Sequence, residues 1–332
     1  MLSTQNNAFV ENLDIENLYD ITGAIKIVEN RLSSIVEECD DFIKVLLRKF
    51  LLSGKKIRPK LVLLSGLCFS AMNDEMINSA VVAEVIHTAS LIHDDIIDKS
   101  DYRRNMPTVN SLLGNHAAVL AGDFLFAKAF EILSKNKLYK QMEYVVTAIQ
   151  ELCAGEMLQA RDLFNIKVSE DHYFERISKK TASLLSACCK AGAQSSNASV
   201  DEIKKMGEYG IFIGYAFQII DDLLDVMGKK EMIGKPLAQD IEQGNLTLPF
   251  IYLLQNPRIK DKYMTKLKDK TITKDIKLEL INDLEQSGII TEVYQKATYF
   301  VQKAKEALDG IPDSVYKTML MRLSDEVLYR TF

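Results

Sequence analysis

Apolar residues recur every three or four positions along nearly the whole chain, a spacing typical of helices that bury one face. Positions 13–52 fit one or two surface helices, and the more charged C-terminal third fits peripheral helices. The segments 60–70, 78–98 and 203–227 are apolar enough to be buried helices. The pattern therefore predicts an all-α protein with a central layer of apolar helices.

Residues that interrupt helices are scarce. The chain has 6 Pro and 15 Gly among 332 residues, and no proline lies between Pro107 and Pro236. Such a stretch favours long helices over many short strands. Gly122 and Asp123 predict a helix start with Asp123 as the N-cap, and Gly228 predicts the end of another helix. Because no linker or repeat is visible, residues 1–332 are predicted to form a single-domain helical bundle.

Composition and charge exclude some functional classes. The chain is 47% hydrophobic and 26% charged, which is ordinary for a globular protein. With 41 basic and 46 acidic residues, its net charge is −5. A general nucleic-acid binder needs a cationic surface, so no nucleic-acid partner is predicted. Local basic patches for a small anionic substrate remain compatible with this balance.

Several features bear on the location of the protein. The N-terminal residues lack the basic and apolar regions of a signal peptide, and the apolar run 61–72 is too short to span a bilayer. We therefore predict a cytoplasmic protein with no integral membrane segment. An odd number of cysteines without CxxC spacing, set among apolar neighbours, predicts reduced thiols in the core. They are Cys39, Cys68, Cys153, Cys188 and Cys189.

Two carboxylate clusters break the apolar pattern in the same way. Each has the form DDxxD and follows a long apolar run: the first starts at Asp94 and the second at Asp221. On a helix, the first and last Asp of each motif stack one turn apart, and like charges at that spacing destabilise a helix. A divalent cation would offset this cost, and oxygen-only ligands suit Mg²⁺, whose coordination is usually completed by substrate phosphates. The sequence thus predicts Mg²⁺ as the cofactor.

Basic clusters accompany the acidic ones, as a phosphate ligand requires. GKKIRP (54–59) precedes a predicted buried helix, and DYRRNMPT (101–108) closely follows the first DDxxD motif. Lys179-Lys180-Thr181 and Gly234-Lys235-Pro236 are further candidates. Arginine can bind phosphate through two hydrogen bonds and lysine through a point charge, so these clusters predict diphosphate recognition.

From about Gly54 to Pro249 the chain resembles the trans-isoprenyl diphosphate synthase (polyprenyl synthetase) family, long-chain type. The resemblance implies one all-α bundle around a deep central cavity, usually dimeric. The motifs that carry it occur in family order: GKKIRP, EVIHTASLIHDDIIDKSDYRRNMPT, GDFLFAKAF, KKT, GYAFQIIDDLLD and GKPLAQDIEQGNLTLP. Two positions depart from the family pattern, since Asn105 replaces the usual glycine of RRGxPT and Ser53 precedes Gly54.

The resemblance also implies a role for individual residues. The main Mg²⁺ ligands would be Asp94, Asp98 and Asp221, supported by Asp95, Asp222 and Asp225. The allylic diphosphate would be held by Arg103, Lys180, Thr181, Gln218 and Lys235. Isopentenyl diphosphate would be held by Lys55, Arg58, His87 and Arg104. The catalytic set would comprise the six aspartates with Arg103 and Lys180.

The implied reaction is the repeated addition of isopentenyl diphosphate to an allylic diphosphate such as dimethylallyl, geranyl or farnesyl diphosphate. The small residues Ala89 and Ser90, with Ile86 below them, lie on the helix face beneath Asp94, where an aromatic side chain blocks the cavity in short-chain members. About 18 Å of helix between Val82 and Asp94 leaves room for a product of about C30 to C40, with Phe124 or Phe130 as a candidate floor.

Alternatives are a short-chain (C15 or C20) synthase and the catalytic subunit of a heteromeric synthase. A homodimer is expected, with a heterodimer as the alternative, and the lipid product implies peripheral membrane contact at release.

A terpene cyclase is disfavoured by the repeated DDxxD, and a regulatory subunit by the presence of both acidic motifs. A di-iron bundle would need a second Glu-x-x-His motif, and an HD-type phosphohydrolase using His93-Asp94 would leave the second DDxxD unexplained.

Overall fold

The computed structural model describes residues 15–39, 41–103, 106–227 and 238–329, and this part of the chain is almost entirely helical. The all-α prediction is confirmed. The first nine helices are α1 (Ile15–Glu37), α2 (Asp41–Leu52), α3 (Ile57–Leu67), α4 (Asp74–Ile97), α5 (Val109–Lys135), α6 (Tyr139–Asp162), α7 (Glu170–Ile177), α8 (Ser183–Gln194) and α9 (Val200–Met227). The others are α10 (Gln239–Glu242), α11 (Leu248–Leu253), α12 (Pro257–Lys268), α13 (Lys274–Ser287), α14 (Ile289–Ala307) and α15 (Val315–Leu328).

Two short elements interrupt the helices near the acidic motifs. Strands β1 (Tyr102–Arg103) and β2 (Met106–Pro107) form an antiparallel hairpin directly after α4, with Tyr102 opposite Pro107. A π-helical turn, Ser178–Ala182, joins α7 to α8. Such turns are rare and frequently mark functional sites.

The predicted buried helices exist, but their first residues were placed too late. Helix α4 begins at Asp74 because the Asn73 side chain caps it, accepting a hydrogen bond from the Met76 backbone N–H at 2.9 Å. Helix α3 begins at Ile57, since Pro59 is tolerated in the first turn, where its missing N–H has no intrahelical partner. Helix α9 ends at Met227, and Gly228 lies outside the described residues.

The predicted helix start at Asp123 is wrong. The first turns of α5, capped by Thr108, are interrupted at Gly114, with φ 82° and ψ 163°, and the longer part of α5 after this break runs through position 123. Gly122 is instead a contact residue. A Cβ atom there would lie 2.1 Å from Nε2 of His93, so glycine lets the α5 backbone approach α4.

The core forms two apolar clusters, and α9 belongs to both. The first packs α1 to α6 with α8, the N-terminal half of α9 and parts of α14 and α15. The second packs α7 and the C-terminal half of α9 against α10 to α15. Helix α1 is not purely a surface helix, because Val28 and Leu32 are buried.

The five cysteines are unpaired thiols, but Cys153 is exposed, which corrects the prediction that all five are buried. Among the described helices, none has the length and apolarity needed to cross a membrane.

Candidate active site

The two DDxxD motifs lie at the C-terminal ends of α4 and α9, and a cavity of about 110 Å³ connects their surroundings. Its lining is almost wholly polar. The residues that line it are Asp98, Gln159, Tyr173, Arg176, Ile177, Lys180, Thr181, Gln218, Asp222, Asp240, Gln243, Asn245 and Thr247. Thus the first motif, the π-helical turn, the second motif and the segment after α10 contribute to one site.

The first motif combines a half-buried carboxylate with a buried one. The pKa of Asp94 is raised to about 7, mainly by burial and also by the nearby carboxylates of Glu156 and Asp98, while Lys180 and Arg103 act in the opposite direction. Asp95 is 1% exposed and accepts a hydrogen bond from Nε of Arg103 at 2.7 Å. Arg103 therefore holds the β-hairpin against the end of α4.

Lys180 lies on the π-helical turn and faces α6. Its Nζ forms a 2.6 Å ion pair with Oε1 of Glu156 and donates a hydrogen bond to Gln159 at 3.2 Å. A Cβ at Gly155 would lie 2.8 Å from the Lys180 backbone nitrogen, so this glycine permits close contact between α6 and the turn. Sequence reasoning missed Glu156. The signal available in the sequence was an acidic residue next to a glycine within a helical pattern.

The second motif is organised by hydrogen bonds around Asp222. The Tyr173 hydroxyl donates to Oδ2 at 2.6 Å, and Nε2 of Gln218 donates to Oδ1 at 2.9 Å. The Thr181 hydroxyl in turn donates to Oε1 of Gln218 at 2.7 Å. Burial raises the pKa of Asp222, with Asp240 as the next cause. Asp222 thus fixes the orientation of Gln218 and, through it, of Thr181.

The other two aspartates of the second motif differ in their surroundings. Asp225 accepts hydrogen bonds from the backbone N–H groups of Gln239 and Asp240 at 3.2 and 3.3 Å, so it anchors the start of α10. Asp221 is half-buried at the start of the motif. Asp222 and Asp225 thus hold neighbouring side-chain and backbone groups in place at the second motif.

The acidic site is compatible with Mg²⁺ completed by substrate. Among residues 15–39, 41–103, 106–227 and 238–329, no group of three or more His, Cys, Asp or Glu side chains is arranged to hold a metal alone. Mg²⁺ is usually held by one or two carboxylates plus waters and substrate phosphates, and it does not require a closed protein cage. Burial and the nearby carboxylates of Glu156 and Asp98 raise the pKa of Asp94, and a cation bound beside it would favour its ionised form.

The basic segment at 54–58 lies beside α4, away from the cavity lining. Lys55 is exposed, whereas Arg58 and His87 are half-buried. Lys56 is buried and pairs with Glu84 at 3.0 Å. Two predicted diphosphate ligands, Arg104 and Lys235, lie outside the described residues, as does Asn105.

The predicted chain-length residues are buried in α4. Ile86, Ala89 and Ser90 are 1%, 0% and 5% exposed. Helix α4 packs most extensively against α5, the helix that carries both candidate floor residues. Phe124 and Phe130 are each half-buried and pack against the first core cluster.

Tyr173 and Arg176 were also missed by sequence reasoning. The Tyr173 ring lies 5.6 Å from the guanidinium carbon of Arg176, which is 4% exposed and donates to the Leu246 carbonyl oxygen at 2.8 Å. Both line the cavity, Tyr173 about two helical turns and Arg176 about one turn before Lys180. The helical spacing to the KKT cluster was the available signal.

Comparison with known proteins decides the family. The family model described as polyprenyl synthetase matches residues 40–284. The chain belongs to the polyprenyl synthetase family. It is accordingly a prenyltransferase, and the family generally uses a divalent metal.

Three similar proteins illustrate the range of this family. Heptaprenyl diphosphate synthase component 2 of Bacillus subtilis (strain 168) is 33% identical over 279 residues, covering 84% of this chain and 80% of the relative. A short chain isoprenyl diphosphate synthase of Methanothermobacter thermautotrophicus is 39% identical over 283 residues, covering 83% and 86%. The crystal structure of heptaprenyl diphosphate synthase from Staphylococcus aureus superposes with a TM-score of 0.88 at 30% identity, covering 94% of this chain and 99% of that one.

Proposed function

We propose that this polyprenyl synthetase condenses isopentenyl diphosphate sequentially onto an allylic diphosphate and releases a trans-polyprenyl diphosphate of about C30 to C40, the length that the α4 rise allows. The observation that carries the proposal is the cavity in which Asp98 of the first motif and Asp222 of the second meet Lys180, Thr181 and Gln218. Carboxylates and a lysine around one small polar cavity suit a diphosphate bound together with a cation.

The first step is cleavage of the allylic C–O bond, which places growing negative charge on the departing diphosphate. Lys180, which is 26% exposed at its side chain, would bind that diphosphate in exchange for its contact with Glu156. Bound Mg²⁺ would supply electrostatic stabilisation of the leaving group and would be held by Asp94, Asp98 and Asp221. Thr181 is oriented by the Gln218–Asp222 pair and would lie beside the same diphosphate.

The second substrate would bind at the basic segment beside α4. Lys55, Arg58 and His87 would hold its diphosphate, with Arg104 as a further ligand, and would orient its double bond toward the allylic cation. Holding two reactants in this way replaces a bimolecular encounter with a step inside one complex. The apolar side chains of α4 would exclude the water that could quench the cation.

Product length would be set along α4. Ala89 and Ser90 are small and buried, so the chain lacks a bulky side chain at the first two positions below Asp94. The heptaprenyl enzymes similar to this chain favour a long product, and the similar short-chain enzyme defines the alternative. The name "component 2" of the Bacillus relative also supports keeping a heteromeric synthase as a second candidate.

A second copy of the chain is the proposed partner, and it would dock on α5. Leu112, Val119 and Leu120 are exposed by 52%, 42% and 56%, and Met157 of the neighbouring α6 is exposed by 67%. Apolar side chains exposed together on neighbouring helices are candidates for an interaction surface. Within one copy, we propose a single domain, because α9 contributes to both core clusters.

The decisive variant for the metal site is the double substitution Asp94→Ala with Asp98→Ala. We expect turnover of an allylic diphosphate with isopentenyl diphosphate and Mg²⁺ to fall at least about 100-fold, the range typical of lost electrostatic stabilisation. Circular dichroism should show unchanged helicity. Asp201→Ala, an exposed acid in the first turn of α9, is the matched control. Retained turnover in the double variant would refute the assignment.

A further inference from the structure

A buried ion pair joins the basic segment 54–58 to α4. The side chains of Lys56 and Glu84 are 2% and 8% exposed, and Nζ of Lys56 lies 3.0 Å from Oε1 of Glu84. The same ammonium donates to the carbonyl oxygens of Leu51 at 2.7 Å and Ser53 at 2.5 Å. Its three N–H donors therefore have three acceptors, as a buried lysine requires.

The backbone at Lys56 is also unusual. Lys56 has φ 51° and ψ 41°, the left-handed conformation that residues other than glycine seldom adopt, and it precedes the first residue of α3. A conformation of this kind persists only where the surroundings fix it, and such positions cluster at functional sites. Six other non-glycine residues among those described have a positive φ, so what distinguishes Lys56 is the set of three buried contacts of its Nζ.

The position of the pair relates it to one half of the proposed active site. Lys56 lies between Lys55 and Arg58, and Glu84 lies one helical turn before His87 on α4. Residues three apart on a helix share a face. The pair therefore connects the two segments that carry the three described candidates for binding isopentenyl diphosphate.

A buried ion pair is weak support for stability, since two desolvated charges cost much of what their attraction returns. Apolar residues of similar size would often hold two segments together equally well. What the pair supplies is a single geometry, because an ammonium with three fixed acceptors tolerates little displacement. This favours a role in alignment.

We propose that Lys56 and Glu84 are positioning residues that hold the segment 54–58 against α4, so that Lys55, Arg58 and His87 converge on the diphosphate of the second substrate. The inference rests on the proposed function. It assigns the pair no direct contact with substrate, and it predicts a selective effect on one of the two Michaelis constants.

The test compares Lys56→Met with the double variant Lys56→Met and Glu84→Met. The single change leaves Glu84 buried without its cation, so a lower melting temperature is expected. The KM for isopentenyl diphosphate should rise about tenfold or more, while the KM for the allylic substrate changes less than about twofold. In the double variant the melting temperature should recover, because no charge is left buried, but the raised KM for isopentenyl diphosphate should persist.

The control is Lys305→Met, which breaks a 2.6 Å ion pair with Asp325 between α14 and α15, neither of whose members lines the cavity. It should leave both KM values unchanged. A double variant with the wild-type KM for isopentenyl diphosphate would overturn the proposal, as would equal rises in both constants. If the wild-type protein shows no turnover of the two diphosphates, the proposed function itself fails, so the two failures are distinguishable.

Discussion

Gly122 of α5 lies directly against the imidazole of His93 on α4: a Cβ atom at position 122 would come within 2.1 Å of Nε2. That nitrogen lies 3.2 Å from the Val119 carbonyl oxygen and 3.7 Å from Oδ1 of Asp123. His93 immediately precedes Asp94. The close approach of α5 therefore places its backbone against the residue that precedes the first acidic motif, and this contact accounts for the glycine that begins GDFLFAKAF.

The substitution Gly122→Ala tests this relationship. The added methyl group would push His93 and the end of α4 away, so we expect the free energy of unfolding to fall by about 1–3 kcal/mol, as for other overpacked sites. Turnover should fall as well, because Asp94 would move with His93. Chemical denaturation and steady-state kinetics measure the two effects.

Gly23→Ala is the matched control for that experiment. Gly23 lies inside α1 and has nothing within 4 Å of its would-be Cβ. Alanine there should raise the free energy of unfolding by about 0.5–1 kcal/mol through helix propensity, with unchanged kinetics. Equal behaviour of the two alanine variants would show that the contact with His93 does not matter.

The raised pKa of Asp94 predicts a pH-dependent stability of the metal-free protein. The pKa is about 7 in the folded state and about 3.9 in an unfolded chain, so the folded state binds the proton more tightly. Stability from this group is therefore present below about pH 4 and is lost as the pH rises through about 7. Asp94→Asn cannot ionise, so with EDTA at about pH 8 it should melt above the wild type, and the difference should vanish toward pH 4. If the wild type and the Asp94→Asn variant had equal melting temperatures at both pH values, the electrostatic description of the site would be contradicted.

Product length should respond to Ala89, which is fully buried on α4. Ala89→Phe would narrow the space below Asp94, so we expect shorter products, measured by chromatography of the dephosphorylated alcohols. Ala127→Phe places the same ring at an exposed position of α5 and should leave product length unchanged. Unaltered products from a folded Ala89→Phe variant would show that this face of α4 does not line the growing chain.

The proposed docking surface on α5 predicts a change of oligomeric state. Leu120→Lys would place a charge in the apolar patch, and light scattering should report a shift from dimer to monomer at equal concentration. Leu278→Lys changes an equally exposed leucine on α13, 55% exposed, and should leave the mass unchanged. A wild-type mass of one chain would contradict the dimer directly.

The helical fold and the elements that carry the two DDxxD motifs were predictable because they follow from local spacing. Apolar periodicity gave α3, α4 and α9, and the acidic motifs stood out against it. Helix boundaries were less accessible, since the cap at Asn73 and the continuity of α5 depend on side-chain and interhelical contacts. Residue type and helical spacing could mark Glu156 and Tyr173 as candidates, but their contacts could not be predicted, because their partners Lys180 and Asp222 are 24 and 49 positions away in sequence and meet only after packing.

The predicted chain-length residues show the same limit. Small residues at 89 and 90 are visible in the sequence, but their burial against neighbouring helices is a property of the packed bundle. The partial burial of Phe124 and Phe130 likewise depends on which side of α5 faces α4. Residue type thus indicated the candidates, and the fold determined their surroundings.

The most direct test of the central claim is to incubate the purified protein with an allylic diphosphate, isopentenyl diphosphate and Mg²⁺ and to size the products. We predict Mg²⁺-dependent elongation that ends at about C30 to C40, the length that the rise of α4 accommodates. Termination at C15 or C20 would contradict the long-chain proposal, and an absence of any elongated product would contradict the synthase itself.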